Sequence, residues 1–358
     1  MGYSEDGLPG QELPPVAPVL MQSFRALGYS VEAAVADLLD NSIAAGSTCI
    51  DVAFAAVPEP HVAIVDDGEG MDEGTLVEAM RFGSRDPRDV RDSRDLGRFG
   101  LGMKTASLSQ CRRVTVISLR RGQLCAAEWD LDECEKKGSW WLRRPAPEDE
   151  APALTTRLRD QGSGTAVLWR HLDRLAPLED GRGRALDDAL AGVAEHLGFT
   201  FHRFTDARAR EHVVISLNRR KVPAYDPFLE GHTRGQTLQT EEFSVQGSRV
   251  TVTPFVLPFP SRLSEKEMTR AGGRERLKSG HGFYIYRGQR LVVPGGWFRI
   301  VPSDELVRLA RVRVDVPIEL DHLWKLDIRK TCQSASNLDP LSASNNDPPT
   351  AQGFAPVA

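Results

Sequence analysis

Three polar stretches that follow one another within about seventy residues constrain this chain more than any bulk property does. The first lies in a run with apolar residues at helical spacing. This run extends from Ser30, a residue type that commonly caps helices, to Gly46, one that commonly ends them. Asp37 and Asn41 are four residues apart, so the predicted helix presents both on one face. Such a pair can orient a water molecule and bind a hard cation, although alone the pattern is more often a solvated helix face.

The second stretch follows an apolar run that is typical of a buried strand. The run ends at Asp66, and Gly68, Gly70 and Met71 come soon afterwards. An aspartate at the end of such a strand offers a hydrogen-bond acceptor at the edge of the sheet. The glycines permit positive φ and allow a flat ligand to approach the backbone closely.

The third stretch opens an apparent helix and contains three glycines. It consists of Gly97, Arg98, Phe99, Gly100, Leu101, Gly102, Met103 and Lys104. The backbone N–H groups at a helix start, the helix dipole and a lysine together suit a polyphosphate. A P-loop is excluded because the Gly-Lys-Ser/Thr order and the preceding strand are missing. Each stretch alone is a weak signal, but the three in this order predict a nucleotide site.

In this order the stretches resemble the N box and the two glycine boxes of the GHKL ATPases, the family of gyrase, the heat-shock chaperone of ninety kilodaltons, histidine kinases and MutL. Residues 162–167, which include Thr165, resemble the later Gly-Thr element of that family. Within the family the likeness is closest to the MORC-type branch, because of the amino-acid sequences at residues 81–84 and 282–287. The resemblance covers roughly residues 20–335.

The resemblance implies the Bergerat fold. This is an α/β (α+β) sandwich with helices on one face of a mixed, mostly antiparallel sheet, followed by a smaller α/β transducer domain. The predicted parts are a disordered arm (1–17), a GHKL ATPase domain (18–176), a transducer-like domain (177–332) and a disordered tail (333–358). An ATP lid is predicted at about 83–103, since this segment has alternating charges and little to bury; a solvated loop is the plainer alternative.

Hydrophobic alternation predicts most of the strands, and helical spacing predicts the helices between them. Strands are predicted at 48–56, 61–65, 113–119, 124–131, 139–142, 165–169, 213–217, 282–286, 290–293 and 312–316, and residues 243–256 are predicted to supply one or two more. Helices are predicted at 19–27, 71–80, 153–160 and 185–197, in addition to the helix that carries Asp37, and residues 145–150 are predicted to be a loop.

The resemblance implies Mg²⁺-dependent hydrolysis of ATP, with both ligands held by residues of the three stretches. Asn41 binds Mg²⁺. Asp66 accepts a hydrogen bond from the adenine amine, Gly70 lets the base lie against the backbone, and Thr165 contacts that aspartate or a water. The glycines of the third stretch and Lys104 hold the phosphates.

Asp37 and Lys330 are the implied catalytic residues. Asp37 polarises the attacking water, whereas most GHKL ATPases carry glutamate there. Aspartate is shorter by about 1.5 Å, and a misplacement of that size costs on the order of 10²-fold in rate, so slow hydrolysis is expected. Lys330 matches the transducer lysine that senses the γ-phosphate, with a plain surface lysine as the alternative. Asp40 lies on a different helix face and is expected to be structural.

Bulk properties restrict the partners. A net charge of −5 gives no global electrostatic case for nucleic acid or membrane binding. Five cysteines without paired metal spacing predict reduced thiols and a cytoplasmic protein, and no apolar run approaches the length of a transmembrane helix. Basic clusters at 112–113, 120–121 and 219–221 are either a surface for a DNA backbone or solvated turns.

The leading functional hypothesis is a MORC-type conformational clamp that forms a nucleotide-dependent homodimer and acts on DNA or on a DNA-associated protein. A nucleotide-regulated binding module with little or no turnover is the main alternative, supported by Asp37 in place of glutamate. A histidine kinase ranks lower because no phosphoacceptor-histidine pattern precedes the first stretch. A chaperone ranks lower because a charged client-binding segment is not evident.

Overall fold

The computed structural model describes residues 2–3, 9–10, 13, 15–26, 28–57, 59–83, 102–174, 182–301, 307–321 and 323. The helices of these residues are α1 (Ala17–Arg25), α2 (Val31–Ala44), α3 (Glu73–Met80), α4 (Gly102–Gln110), α5 (Leu131–Lys137), α6 (Pro147–Glu150), α7 (Pro152–Gln161), α8 (Arg182–Thr200), α9 (His202–Thr205), α10 (Glu265–Arg270) and α11 (Gly273–Ser279). The strands are β1 (Gly2–Tyr3), β2 (Pro9–Gly10), β3 (Cys49–Ala55), β4 (His61–Asp66), β5 (Arg113–Arg120), β6 (Gln123–Asp130), β7 (Gly164–Arg170), β8 (Val214–Leu217), β9 (Arg220–Lys221), β10 (Gln236–Thr237), β11 (Glu241–Val245), β12 (Ser248–Val256), β13 (Gly282–Arg287), β14 (Arg290–Pro294) and β15 (Ala310–Val316).

The larger sheet has seven strands in the order β6-β5-β7-β4-β3-β8-β9. Its neighbours are antiparallel except for β3 and β8, which run parallel. Alternation along β4 separates two apolar faces: Ile64 joins the main core, and Val65 joins a smaller cluster on the other face. Helices α1, α2, α4 and α8 contribute to the main core, whereas α7 covers part of the opposite face through Leu158. The protein is therefore a mixed α/β structure with a helical layer on its larger sheet.

The second sheet is built from β10 to β15 in the order β10-β12-β15-β13-β14, and β11 also pairs with β12. Only β13 and β15 are parallel. Helices α10 and α11 pack at this sheet through buried side chains that include Met268 and Leu277. Helix α8 contacts both α2 and β14, so it lies between the helical layer of the first sheet and the edge of the second.

Local signals predicted most elements correctly, including the pairing of β3 with β4 and the hairpin of β13 and β14. Two predictions were wrong. Residues 139–142 form no strand, because after α5 ends at Lys137 this segment meets β6 only at an isolated bridge between Arg143 and Glu128. Residues 145–150 are not all loop, since α6 begins at Pro147, a favourable first residue of a helix.

A strand that follows residue 177, the predicted domain boundary, pairs with a strand that precedes it. Strand β8 pairs with β3, so the first sheet continues to Lys221 rather than ending near β7. Within the predicted disordered arm, Gly2–Tyr3 and Pro9–Gly10 form a short antiparallel pair. Most of the predicted lid (84–101) and the whole predicted tail (333–358) lie outside the described residues.

Candidate nucleotide site

Helix α2 forms as its caps predict. Ser30 Oγ accepts a hydrogen bond from the Ala33 N–H at 3.3 Å, and Gly46 follows the helix with a φ of +74°. Asp37 is buried, whereas Asn41, one turn further on, is exposed. The helix thus places a carboxylate and an amide in sequence along one face, with only the amide open to solvent.

The Asp37 carboxylate lies between Tyr29, which precedes α2, and the start of α4, which follows the predicted lid. The Tyr29 hydroxyl donates a hydrogen bond to Asp37 Oδ2 at 3.1 Å. A Cβ added to Gly102, the first residue of α4, would lie 3.6 Å from the same oxygen, so the start of α4 faces this carboxylate. A negative charge near a helix N-terminus is favourable, and this neighbourhood joins the first predicted stretch to the third.

Asp66 is the centre of a buried hydrogen-bond cluster at the end of β4. Its Oδ1 accepts from the backbone N–H of Gly68 at 2.9 Å and of Thr165 at 3.2 Å, and its Oδ2 accepts from Ser42 Oγ at 2.8 Å. Burial raises the pKa of the Asp66 carboxyl, while the hydrogen bond from Gly68, followed by those from Ser42 and Thr165, opposes that rise. Oδ1 uses both of its lone pairs in these hydrogen bonds, whereas Oδ2 keeps a further lone-pair direction, which is what an adenine amine requires.

Two glycines beside Asp66 are required by close backbone approaches. Gly70 has a φ of +68°, and a Cβ there would lie 2.0 Å from the Leu119 carbonyl oxygen. Gly164 has a φ of +134°, and a Cβ there would lie 2.0 Å from the Asp66 carbonyl oxygen. No side chain fits at either position, so the predicted glycine box and Gly-Thr element pack directly against the sheet.

Ser118 on β5 connects these two elements. Its Oγ accepts from the Met71 N–H at 2.8 Å and lies 2.9 Å from Thr165 Oγ1. Gly68 is confined less tightly, since a Cβ there would lie 2.8 Å from the side-chain Oγ of Ser47. The sequence analysis did not identify Ser42, Ser47 or Ser118; the place of Ser42 directly after Asn41 was the only available signal.

Lys104 occupies a position that its predicted role did not anticipate. Its side chain is buried, and Nζ donates to the carbonyl oxygens of Ala79 at 2.8 Å and Arg81 at 2.7 Å. The ammonium also lies 5.8 Å from the centre of the Phe82 ring. A cation at these carbonyls stabilises the C-terminal end of α3, so Lys104 joins α4 to α3. The predicted phosphate contact stays a prediction.

A further charged residue reaches this site from the second sheet. Arg290, at the start of β14, donates from Nε to Asp40 Oδ1 at 2.9 Å, and its Nη2 lies 3.8 Å from Asp37 Oδ1. Sequence reasoning missed this contact because its partners are 250 residues apart. The only signal was that Arg290 lies three residues after the segment 282–287 that resembles the MORC-type branch.

The structure therefore brings together Asp37 and Asn41 on α2, Asp66 and its glycines at the end of β4, and Thr165 near the start of β7. The start of α4 faces Asp37. Gly102, Met103 and Lys104 are the described part of the second glycine box. The remaining predicted site residues lie outside the described residues: Gly97, Arg98, Phe99, Gly100, Leu101 and Lys330. Their roles stay predictions.

The residues present fit a magnesium ion held mainly by a substrate. Among the described residues, no group of three or more His, Cys, Asp or Glu side chains could hold a metal by itself. Mg²⁺ usually keeps several waters and binds one or two protein oxygens together with substrate phosphates, and the exposed Asn41 amide can supply such a ligand. In the part of the chain that the structure covers, no helix is long and apolar enough to cross a membrane.

Comparison with known proteins identifies a family match for one region of the chain. A search of curated proteins finds no match to the chain. Residues 29–165, which span Tyr29, α2, the Asp66 cluster and Thr165, match the family model described as "Histidine kinase-, DNA gyrase B-, and HSP90-like ATPase". This match supports placing the region from Tyr29 to Thr165 in the GHKL superfamily of ATPases.

Proposed function

We propose that this chain binds Mg-ATP and hydrolyses it slowly, and that nucleotide binding drives lid closure and formation of a homodimer. In this proposal the protein is a MORC-type conformational clamp that acts on DNA or on a DNA-associated partner. The observation that carries the proposal is the buried Asp37 carboxylate, with exposed Asn41 one turn along α2 and the start of α4 opposite.

The residues divide into a base-binding group and a reacting group. Asp66 selects adenine by accepting a hydrogen bond from its amine, and the backbone around Gly70 lies against the base. Asp37 orients and polarises the attacking water at the γ-phosphate side. The Tyr29 hydroxyl fixes the rotamer of this carboxylate through its contact with Oδ2. The magnesium ion, when bound, neutralises charge on the phosphates, and Asn41 is the residue that would hold it.

Closure of the clamp follows from ligand contacts on separate elements. ATP bound by α2 and β4 would also contact the predicted lid and Lys330. Binding therefore favours the arrangement in which these parts meet, by as much as ATP prefers that arrangement over the open one. The same differential affinity would stabilise a homodimer if the partner copy buries the closed lid.

Charge on the surface favours one region for a DNA contact. Arg112 and Arg113, from one of the three predicted basic clusters, form ion pairs with Asp132 and Asp130, and Arg120 pairs with Glu69. Residues 218–221, which form the turn after β8 together with β9, are exposed and lie at the edge of the larger sheet. We propose that this turn contacts the phosphate backbone, with binding that weakens steeply as salt rises.

A binding module with little turnover is the second candidate. Two observations favour it: the reacting position carries the shorter Asp37, and the Lys104 ammonium is bound by backbone carbonyls of Ala79 and Arg81. In such a protein ATP would set the conformation, and hydrolysis would contribute nothing to the cycle.

The deciding experiment measures phosphate release and ATP affinity of the full chain with Mg²⁺, with molecular mass determined by light scattering in the same buffers. Asp37→Asn keeps the volume of the side chain and removes its charge, so it should retain ATP binding and lose turnover. Asn41→Ala and Asp66→Asn should instead lose binding, the first through the magnesium ion and the second through adenine.

Each outcome selects one function. Turnover in the wild type that is lost in Asp37→Asn, together with a nucleotide-dependent dimer, supports the ATPase clamp. ATP binding without turnover in either protein supports the binding module. An equal loss of ATP affinity in Asp37→Asn and Asn41→Ala would contradict the division between a reacting and a binding group.

A further inference from the structure

Arg290 makes an ion-pair contact that joins the second sheet to the helix carrying the reacting carboxylate. Its side chain is 4% exposed, and the two carboxylates that it meets, on Asp37 and Asp40, are 1% and 0% exposed. Nε donates to Asp40 Oδ1 at 2.9 Å, and Nη2 lies 3.8 Å from Asp37 Oδ1. One guanidinium thus lies beside two buried acids from the same helix, so Asp40 lies on the same side of α2 as Asp37, and the expectation of a different helix face was wrong.

The charges explain why such a contact is needed. Asp37 and Asp40 are three residues apart on α2, where like charges repel each other, and burial removes the water that would weaken this repulsion. A guanidinium carries five N–H donors in a planar fork, so it can hold one carboxylate by hydrogen bonding and stabilise the second by its charge. An ammonium group has a single charged point and cannot occupy both positions equally well.

Arg290 is itself held in place by the second sheet. It begins β14, which pairs antiparallel with β13. At the other side of the hairpin turn, Arg287 is buried and donates from Nε to Asp321 Oδ1 at 2.6 Å. The guanidinium of Arg290 also lies 5.8 Å from the centre of the Phe201 ring, just beyond α8. The position of the guanidinium therefore depends on how the hairpin and α8 sit against α2.

We propose that Arg290 is a positioning residue, which holds the Asp37 and Asp40 carboxylates in the orientation required for turnover and so makes hydrolysis depend on contact between the second sheet and α2. This inference rests on the proposed role of Asp37. The residues around Asp66 that recognise the base are a separate hydrogen-bond cluster formed by Ser42, Gly68 and Thr165. Turnover and nucleotide affinity should therefore respond differently to loss of Arg290.

The test compares Arg290→Gln and Arg290→Lys with a matched control, Arg203→Gln. Arg203 forms an ion pair with Asp315 of the second sheet, is partly exposed, and contacts neither Asp37 nor Asp40 in the described structure. Arg290→Gln should lower kcat by about ten- to a hundredfold while the Kd for ATP changes by less than about threefold. Arg290→Lys should recover part of the lost kcat, and the control should keep both values near those of the wild type.

A second readout needs no nucleotide. Hydrogen exchange of the ligand-free chain, followed by mass spectrometry, should show faster exchange in the peptide that contains α2 for Arg290→Gln and not for Arg203→Gln. Asp40→Asn changes the charge without changing the volume, so it keeps the test possible should Arg290→Gln not fold. It should lower kcat with little change in Kd, and the double variant should lose less than the sum of the two single losses.

Several results would overturn the inference. These are an unchanged or raised kcat in Arg290→Gln, a parallel loss of kcat and ATP affinity, or α2 exchange equal to that of the control. If the wild type itself releases no phosphate, the proposed hydrolysis fails and this inference fails with it. Wild-type turnover that survives in Arg290→Gln overturns the inference alone.

Discussion

The hydroxyl of Tyr29 donates a hydrogen bond to Oδ2 of Asp37 across 3.1 Å, from the residue before the N-cap of α2 to the middle of that helix. Asp37 stands where most GHKL ATPases carry glutamate. Aspartate has one side-chain torsion fewer than glutamate. A phenol that donates to one of its oxygens restricts the remaining torsions and so helps to orient the carboxylate.

Tyr29→Phe tests this contact directly. A hydrogen bond to a charged group contributes about 1.5–3 kcal/mol, so kcat should fall by about tenfold or more while ATP affinity is retained. Tyr284→Phe is a matched control, because it removes the same hydroxyl from a contact with the Gly280 carbonyl oxygen in the second sheet. Steady-state phosphate release and ATP titration of both variants provide the measurement. Equal kcat values for the two would show that Tyr29 does not act on the reacting carboxylate.

Gly164→Ala should strongly destabilise the protein. The added Cβ would lie 2.0 Å from the Asp66 carbonyl oxygen at a φ of +134°, so the strand pair β4–β7 would have to separate. Backbone strain and overpacking together predict a loss of about 3 kcal/mol or more in the free energy of unfolding.

Gly122→Ala is the control for backbone conformation alone. Gly122 has a φ of +78° in the turn between β5 and β6, and a Cβ there would meet nothing within 4 Å. Its loss should be limited to the left-handed backbone cost of about 1–2 kcal/mol. Urea unfolding of both variants measures the difference. Similar losses at the two glycines would contradict the steric role assigned to Gly164.

Caps, turns and strand alternation were predictable because they depend on neighbours in sequence. Ser30 caps α2 as expected, and Asp72 caps α3. The partner of β8 was not predictable, because an apolar strand of four residues fits the edge of either sheet and alternation does not specify its neighbour. The same limit applies to Arg290, whose acidic partners lie at the other end of the chain and look like an ordinary polar helix face in sequence.

In the candidate site, the sequence predicted which residues belong together but did not predict their hydrogen-bond partners. The sequence predicted that Asp37, Asn41 and Asp66 belong to one site, since motif order carries that information. It could not predict which donors satisfy Asp66, because Ser42 and Thr165 come from two different elements. It also assigned Lys104 by its place beside glycines, whereas burial and two carbonyl acceptors decide where that ammonium lies.

Lys104→Met separates a structural role from a phosphate contact. Methionine keeps the apolar stem and removes the charge, which leaves the carbonyl oxygens of Ala79 and Arg81 without this donor. We expect a loss of about 2–4 kcal/mol in the free energy of unfolding of the ligand-free chain, since two hydrogen bonds from a charged donor disappear. Lys137→Met is a control on an exposed lysine. An unchanged unfolding free energy with a large loss of ATP affinity would assign Lys104 to the phosphates instead.

His202 should make the second half of the chain sensitive to acid. Its Nδ1 lies 3.2 Å from the Tyr225 carbonyl oxygen, which can only accept, so Nδ1 carries the proton and Nε2 accepts from the Tyr286 hydroxyl at 2.8 Å. Burial, followed by the charge of Arg203, lowers the pKa of His202 from 6.5 to about 3. The folded protein therefore holds this ring neutral where the unfolded chain binds a proton.

The sign of the effect follows from proton binding. Above pH 6.5 the ring is neutral in both states, and between pH 6.5 and about 3 only the unfolded state takes up the proton. The free energy of unfolding should thus fall as pH decreases through this window, by about 2 kcal/mol from this residue at pH 5. Burial also lowers the pKa of His196 to about 4, so that residue adds to the fall in part of the same window.

Urea unfolding at pH 7.5 and pH 5 measures this dependence in the wild type and in His202→Gln. The variant should be less stable at pH 7.5, because glutamine fills the site imperfectly, but its unfolding free energy should change less between the two pH values. His61→Gln is the control, since its ring is more exposed and contacts only the Glu59 carbonyl oxygen in the described structure. Equal pH dependence in the wild type and in His202→Gln would show that the ring is not held neutral by the fold.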